Sequence, residues 1–559
     1  MRVRLRVSAT DDLLGETIEE VRPVTTSPGT PNRGYAVWTE SSMQRVMPTR
    51  LPTAPRVGHA SRLSPPVARI ALAGHEYESF QIVVLPAPDR ELHGVRVETS
   101  DLVCRANGAR IAASNIEWQQ VGYVHAPRID RQPNTEADAA PGWWPDPLLP
   151  VERFDVPSGW AQPVWVTVYA PPDTPPGEYI GTITINPRNA PATEVEVRAT
   201  MYGFTLPVEG HLKTAFALMD GYLEQVYGEP LTAELRQRYG DFVLRHRLNA
   251  DDISRTSPPA IEDLLHYRDR GLNAFNVLNM VQERGEATWV CWSPLEAYTP
   301  AFKQRLIERL DPYVAELRRQ GLAEKAYIYT FDERGEEFYP TIREYFGLVH
   351  ERYPGIPTLT TAYVRQDPAA MRDLNVDWAC PVTAAYHFEE AERCRAAGLQ
   401  VWSYICLGPR YPYANWLADC PLIEARVIWW QAFQQKLDGF LYWGLNIWGR
   451  DHNDRPVDPR GGPLLGWSIT TGGDYDWLHG DGELLYAGPD GPIGSIRLAN
   501  IRDGLEDYEY LWLFSDRAGN IEAGREACTP ITTDLTSFTR DAATLLAQRE
   551  AIARKLESR

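Results

Sequence analysis

The chain has 559 residues, enough for several domains and a large core. It carries 75 Asp and Glu against 56 Lys and Arg, a formal net charge of −19, and no basic run, which argues against nucleic acid as a partner because that binding rests on basic patches. No stretch approaches the ~20 apolar residues of a membrane-spanning helix, so no membrane partner is expected either.

The opening residues, "MRVRLRVSATDDLLGE", are basic but lack an apolar region behind them, which makes a poor export signal. The seven cysteines, at 104, 291, 380, 394, 406, 420 and 528, form no CxxC or zinc-like spacing. Dispersed, reduced thiols fit a cytoplasmic protein, with secretion still compatible. Residues 1–35 read as a loose polar lead-in. From 36 to 206 the texture is β: "EYESFQIVVLP" (76–86) and "QPVWVTVYAP" (162–171) are β-branched and aromatic runs, and "PDTPPGEYIGTITI" is a Pro/Gly turn into another strand. Short strands without helices predict an N-terminal β-sandwich.

Near Leu206-Pro207 strand-like runs begin to alternate with helical ones. Expected strands cover 213–219, 247–253, 273–279, 326–332, 358–363, 376–382, 400–406 and 439–447, with amphipathic segments such as 299–321 between most of them. Eight such units predict a central (β/α)8 TIM-type barrel over 207–470. A doubly wound sheet is the rival, but no GxGxxG follows any of these strands. The remainder, 471–559, reads as a small, mainly helical C-terminal region. Residues 449–493 are Gly-, Pro- and Asp-rich loop. A helix over 495–514 sets Leu498, Ile501, Leu505, Tyr508 and Leu511 on one face, and another helix is expected over 533–556. The fold class is thus multidomain.

In such a barrel the chemistry sits at the C-terminal ends of the strands. The fourth strand, in "AYIYTFDERGEE" (326–337), ends at Asp332-Glu333. Adjacent strand residues face opposite ways, so both acids reach one pocket only if the strand bends between them, and Arg334-Gly335 makes a break plausible. Two carboxylates at one sugar suggest glycoside hydrolysis. An adjacent pair suits a scheme in which one acid protonates the leaving oxygen and the other orients a 2-acetamido group that itself attacks the anomeric carbon. The same dipeptide also fits a helix N-cap.

On the eighth strand, Leu441, Trp443, Leu445 and Ile447 are expected to pack on outer helices, leaving Tyr442, Asn446 and Trp448 facing the pocket for hydroxyl bonding and ring stacking. Trp402, Tyr404, Tyr363 and Asn279 are further substrate-binding candidates. Asp251 and Asp252 read as turn caps first, and as a source of another acid second. "RDHND" (450–454) lacks metal-ligand spacing and reads as a polar loop. Glu506-Asp507 reads as one end of an i,i+4 ion pair with Arg502. No metal and no cofactor is called for, and a homo-oligomer is compatible with the sequence.

The run "GDGELLYAGPDGPIGSIRLANIRDGLEDYEYL" (480–511), just after "GFLYWGLNIW", resembles the domain of unknown function 4091, which accompanies glycoside hydrolase family 123, the β-N-acetylgalactosaminidases. "EYESFQIVV" and "VWVTVYAPPDTPPGEYIGTITI" resemble that family's N-terminal sandwich. The resemblance covers most of 65–515. It implies a barrel hydrolase using substrate-assisted retaining catalysis, with Asp332 on the acetamido group and Glu333 as acid/base. It also implies an exo-acting enzyme for a terminal 2-acetamido sugar, foremost β-linked N-acetylgalactosamine. Arg334 departs from the family, where Pro is frequent after the pair. Two other readings stay open: a non-catalytic carbohydrate-binding barrel, and a glycosidase for another sugar pairing Glu333 with a carboxylate from a different strand.

Overall fold

The computed structural model describes residues 34–48, 66–126, 141–228, 230–282, 291–448 and 479–558, with residues 129, 132 and 133 and the strand segments 2–10, 17–25 and 467–468. Where a loose lead-in was expected, Arg2–Thr10 pairs with Thr17–Thr25 as an antiparallel hairpin. Val3, Leu5 and Val7 alternate there with Arg residues, the period-2 pattern of a strand.

Two sheets follow and share one core. One runs Gly142–Leu149, Ile116–Ala126, Gln162–Ala170, Glu76–Pro86, Tyr35–Ser41; the other runs Phe154–Val156, Leu92–Thr99, Gly177–Asn186, Thr193–Thr205, Val67–Gly74. Alternate residues enter the core between them: Phe80, Ile82 and Val84, then Val164, Val166 and Val168, then Ile183, Ile185, Val195 and Val197.

Beyond residue 206 lies a curled parallel sheet with helices between its strands. Phe275–Asn276, Ala326–Tyr329, Thr358–Thr360, Trp378–Ala379 and Gln400–Val401 pair in that order. Ser403–Ile405, Gly439–Tyr442 and Lys213–Phe216 continue it, and a bridge from Val382 to Tyr404 joins the two runs. The strand expected over 247–253 is absent as a ladder: Asp251 makes one bridge, to Ala217. Asn and Asp compete with backbone pairing through their own side chains, and they do so here. Asn249 Oδ1 accepts from Asn273 N at 2.9 Å, Asp251 Oδ1 accepts from Asn276 N at 2.9 Å, and Asp251 Oδ2 accepts from Tyr327 OH at 2.5 Å. Side chains thus stand in for ladder bonds between this segment and Phe275–Asn276. Asp252 Oδ1 accepts from Ser254 N, the turn cap its sequence suggested.

The helix expected over 495–514 spans Ile496–Ala518, and its polar face is buried as deeply as its apolar one. The expected i,i+4 pair with Arg502 gives way to longer links. Glu506 accepts from Arg247 Nε at 3.1 Å and from Tyr77 N at 3.1 Å. Asp507 takes Arg426 Nε at 2.7 Å and Arg549 Nε at 2.8 Å, while Arg426 also forks onto both oxygens of Glu78 at 3.0 and 3.1 Å. Arg502 pairs with its neighbour Asp503 at 2.9 Å. These charges lock the N-terminal sheets, the curled sheet and the C-terminal helices together. The helix expected over 533–556 spans Ala542–Glu557, capped by Asp541. No helix among the described residues is long and apolar enough to cross a membrane. Residues 450–454 lie outside the described residues.

Candidate active site

The strand Ala326–Tyr329 alternates Tyr327 and Tyr329 toward the sheet's interior, and then its backbone leaves the β region twice. Phe331 has φ 62° and Glu333 has φ 48°, left-handed conformations that cost a side-chain-bearing residue of order 1–2 kcal/mol each. The bend expected between Asp332 and Glu333 is present, with a left-handed residue on either side of Asp332. Its effect is chemical: without it Asp332 and Glu333 would point to opposite faces.

Both carboxylates are held by hydroxyls. Asp332 Oδ1 accepts from Tyr329 OH at 2.6 Å and from Thr361 Oγ1 at 2.9 Å, and the same Thr361 oxygen accepts from Glu333 N at 3.2 Å. One threonine thus fixes the spacing of the pair. Glu333 Oε1 accepts from Tyr404 OH at 2.5 Å. Arg334 Nε donates to Asp332 O at 2.6 Å, and its guanidinium lies 4.6 Å from the Trp292 ring centre. The residue that departs from the expected Pro thus braces the turn by a hydrogen bond and a cation–π contact.

Three thiols surround the pair. Burial, together with the charge of the nearby Asp332 carboxylate, pushes the Cys291 thiol up to about 12. Cys380, fully buried, is raised by burial and again by Asp332. Cys406 is pushed up to about 12 by burial, Asp481 and Glu333. Asn279 N donates to Arg255 O at 2.7 Å and its Nδ2 to Cys291 O at 3.3 Å. It therefore supports the segment beside Asp332. Tyr363, 63% exposed, lies at the mouth within the field of Glu333, and its backbone N donates to Arg334 O at 2.9 Å.

The remaining expected wall residues are engaged with other parts of the chain. Asn446 accepts from Met219 N at 2.9 Å and donates to Met219 O at 3.0 Å, both ends of its amide engaged in a fully buried backbone clamp. Trp448 is buried, with Nε1 donating to Leu485 O at 3.0 Å. Tyr442 is buried and donates to Asp481 Oδ1 at 3.2 Å. Trp402 fills the interior, stacked on Trp378 with ring centres 5.1 Å apart. The reason is a reversed parity on the last strand: Phe440 packs on Trp429 of the outer helix Glu424–Gln434, ring centres 5.3 Å apart, whereas a side chain at Gly439 would overlap the interior Trp402 indole. Tyr329, Thr361 and Cys291 are site residues that the sequence reading did not single out. Tyr329 was legible, since it shares its parity with Tyr327 two residues before the bend; Thr361 and Cys291 carry no local signal.

Comparison with known proteins fits this geometry. No curated protein matches by sequence. Family models match over residues 179–514 (Glycoside hydrolase 123, catalytic domain) and 76–187 (Glycoside hydrolase 123 N-terminal domain). Among solved structures, a family 123 glycoside hydrolase from Clostridium perfringens, analysed for the details of glycolipid glycan hydrolysis, superposes with a TM-score of 0.66 at 12% identity, covering 94% of this chain and 97% of that one. A Bacteroides ovatus GH5 xyloglucanase reaches a TM-score of only 0.25 at 11% identity, over 78% of this chain and 98% of its own, too low to bear on the argument. With the catalytic-domain model covering more than half of its length, the chain belongs to glycoside hydrolase family 123 and is a glycoside hydrolase.

Proposed function

We propose that the enzyme removes a terminal 2-acetamido sugar, β-linked N-acetylgalactosamine foremost, with retention and with the substrate's own acetamido group as nucleophile. The observation that supports this reading is the αL–Asp332–αL turn at the adjacent acid pair, with Thr361 bonded to both residues. An enzyme nucleophile and an acid on separate strands would need no such turn; such acids flank the bond at ~5–5.5 Å. Glu333 gives its proton to the leaving oxygen and afterwards takes one from water. Asp332, held by Tyr329 and Thr361, accepts the acetamido N–H, aims the carbonyl oxygen at the anomeric carbon, and offsets the positive charge of the oxazolinium ion. Tyr404 fixes Glu333, and exposed Tyr363 offers the incoming glycan an aromatic edge. The curled sheet, read as a (β/α)8 barrel closed at residues 249–276 by Asn and Asp side chains, spans 207–470 in this reading. The sandwich takes 36–206 and the helical region 471–559. The Clostridium perfringens relative's glycolipid glycans are the substrate class to try first.

The test is hydrolysis of aryl β-N-acetylgalactosaminide and β-N-acetylglucosaminide by wild type and Glu333→Gln, with the anomer of the first product read by NMR. Cleavage of neither sugar, or an inverted product, would overturn the proposal.

A further inference from the structure

Arg334 follows the acid pair directly, and its brace on the turn uses only one of its nitrogens, Nε, which donates to Asp332 O at 2.6 Å. The guanidinium lies against two rings, 4.6 Å from the Trp292 ring centre and 5.8 Å from that of Phe338. Among the described residues nothing bonds to Nη1 or Nη2. The side chain is half-buried, yet neither of these nitrogens is sealed from water. Asp332, Glu333, Glu336 and Glu337 all stand within three residues of Arg334 in the sequence, and none of them forms an ion pair with it.

The backbone fixes where this charge stands. Thr361 Oγ1 donates to Asp332 Oδ1 at 2.9 Å and accepts from Glu333 N at 3.2 Å. Two residues on, Tyr363 N donates to Arg334 O at 2.9 Å. Residues 361–363 thus run alongside 332–334, and Arg334 is held at the same rim as the two acids and the exposed Tyr363.

We infer that Arg334 is a specificity residue, which takes an acidic substituent of the glycan, a carboxylate or a sulfate ester, end-on through Nη1 and Nη2. With Nε engaged, that edge is the one left free, and its two parallel N–H groups match two oxygens of such an anion. The neighbouring rings favour the cation and limit its rotation, so little freedom is lost on binding. The chain has a net charge of −19, and its field together with the acid pair repels an acidic glycan. A cation without a counter-ion beside the scissile bond offsets that repulsion locally. The inference rests on the proposed site for its location and not on which sugar is cleaved.

The test uses the full chain and 4-nitrophenyl glycosides, each paired with its monosulfates. A second arm uses an N-acetylgalactosaminyl-galactose glycoside with and without a sialic acid on the galactose. The quantity read is kcat/KM for the acidic member of each pair over that for the neutral member. Breaking the brace on Asp332 slows both members alike and cancels in this ratio. In Arg334→Gln the ratio should fall about tenfold or more for at least one pair. Arg334→Lys keeps the charge without the fork and should recover part of that loss. The arm that responds tells sulfate from carboxylate. Cleavage confined to sugars that lack a 2-acetamido group would end the proposed specificity and leave the ratio readable. If no glycoside is cleaved, calorimetric affinities for the same pairs supply the ratio. A ratio unchanged in every pair for both variants would overturn the inference, because Arg334 would then be a brace only.

Discussion

Tyr404 donates a 2.5 Å hydrogen bond to Glu333 across the mouth of the sheet, from the seventh strand to the turn after the fourth. It fixes the carboxyl group proposed to protonate the leaving oxygen, and proton transfer depends on its geometry. Tyr404→Phe keeps the ring and removes the donor. The expected outcome is a fall in kcat of about tenfold with KM little changed, measured on an alkyl glycoside. Undiminished kcat would remove Tyr404 from the positioning of Glu333.

Glu333→Gln should cost ~10²–10⁴ in kcat on substrates with poor leaving groups, the range of general-acid contributions. Dinitrophenyl glycosides, whose leaving oxygen needs little protonation, should suffer far less. Equal losses across a series of leaving groups would contradict the role.

Asp332→Asn keeps shape and loses charge. One transition-state electrostatic contact is worth ~10²–10³ in kcat. An N-acetyl-thiazoline, which mimics the cyclised intermediate, should inhibit wild type and bind Asp332→Asn poorly. Full kcat in Asp332→Asn, or no inhibition of wild type, would turn the mechanism toward a carboxylate on another strand.

Burial, with the nearby Asp146 charge adding to it and Arg497 opposing, pushes the Glu483 carboxyl up to about 8. The folded chain then holds this proton to higher pH than the unfolded chain does. The stability it contributes is full below the ordinary carboxylate value of ~4.3 and is lost as pH climbs to about 8. Glu483→Gln has no proton to lose. The melting temperature of the variant minus that of wild type should therefore rise between pH 5 and pH 8.5, by roughly 1 °C per kcal/mol for a chain of this length. A difference that does not move with pH would count against the burial of this charge.

Arg426 joins Glu78 of the N-terminal sheets to Asp507 of the C-terminal helix, with all three side chains buried. Removing Arg426 takes away the cation that forks onto both carboxylates and leaves only Arg549 beside them. Arg426→Met should cost ~3–5 kcal/mol in urea unfolding, and Glu78→Gln should cost clearly less because a neutral amide can remain. Equal small costs would mean that the network is solvated.

By itself the sequence determined the order of the structure. Strand runs at 76–86, 162–171 and 326–332 carry β-branched and aromatic residues at period 2, and seven of the eight expected strands after residue 206 occur, each shorter than expected. The "AYIYTFDERGEE" run singled out Asp332 and Glu333 only together with its place in the series of strands and the polar and aromatic residues of the eighth strand, because the dipeptide alone fits a helix N-cap equally well. Tertiary structure decided which face each side chain meets. A one-residue error in parity exchanges the two faces of a strand, so Phe440 packs on the outer helix where Leu441 was expected to, and Tyr442 and Asn446 turn to buried and backbone partners. Local pattern also cannot report what covers a polar face, so Arg502, Glu506 and Asp507 read as a solvated helix surface although sheets from the other end of the chain bury them. The two left-handed residues around Asp332 lie between these cases: the sequence required a bend, but only packing could hold Phe331 and Glu333 in a conformation that neither residue prefers alone.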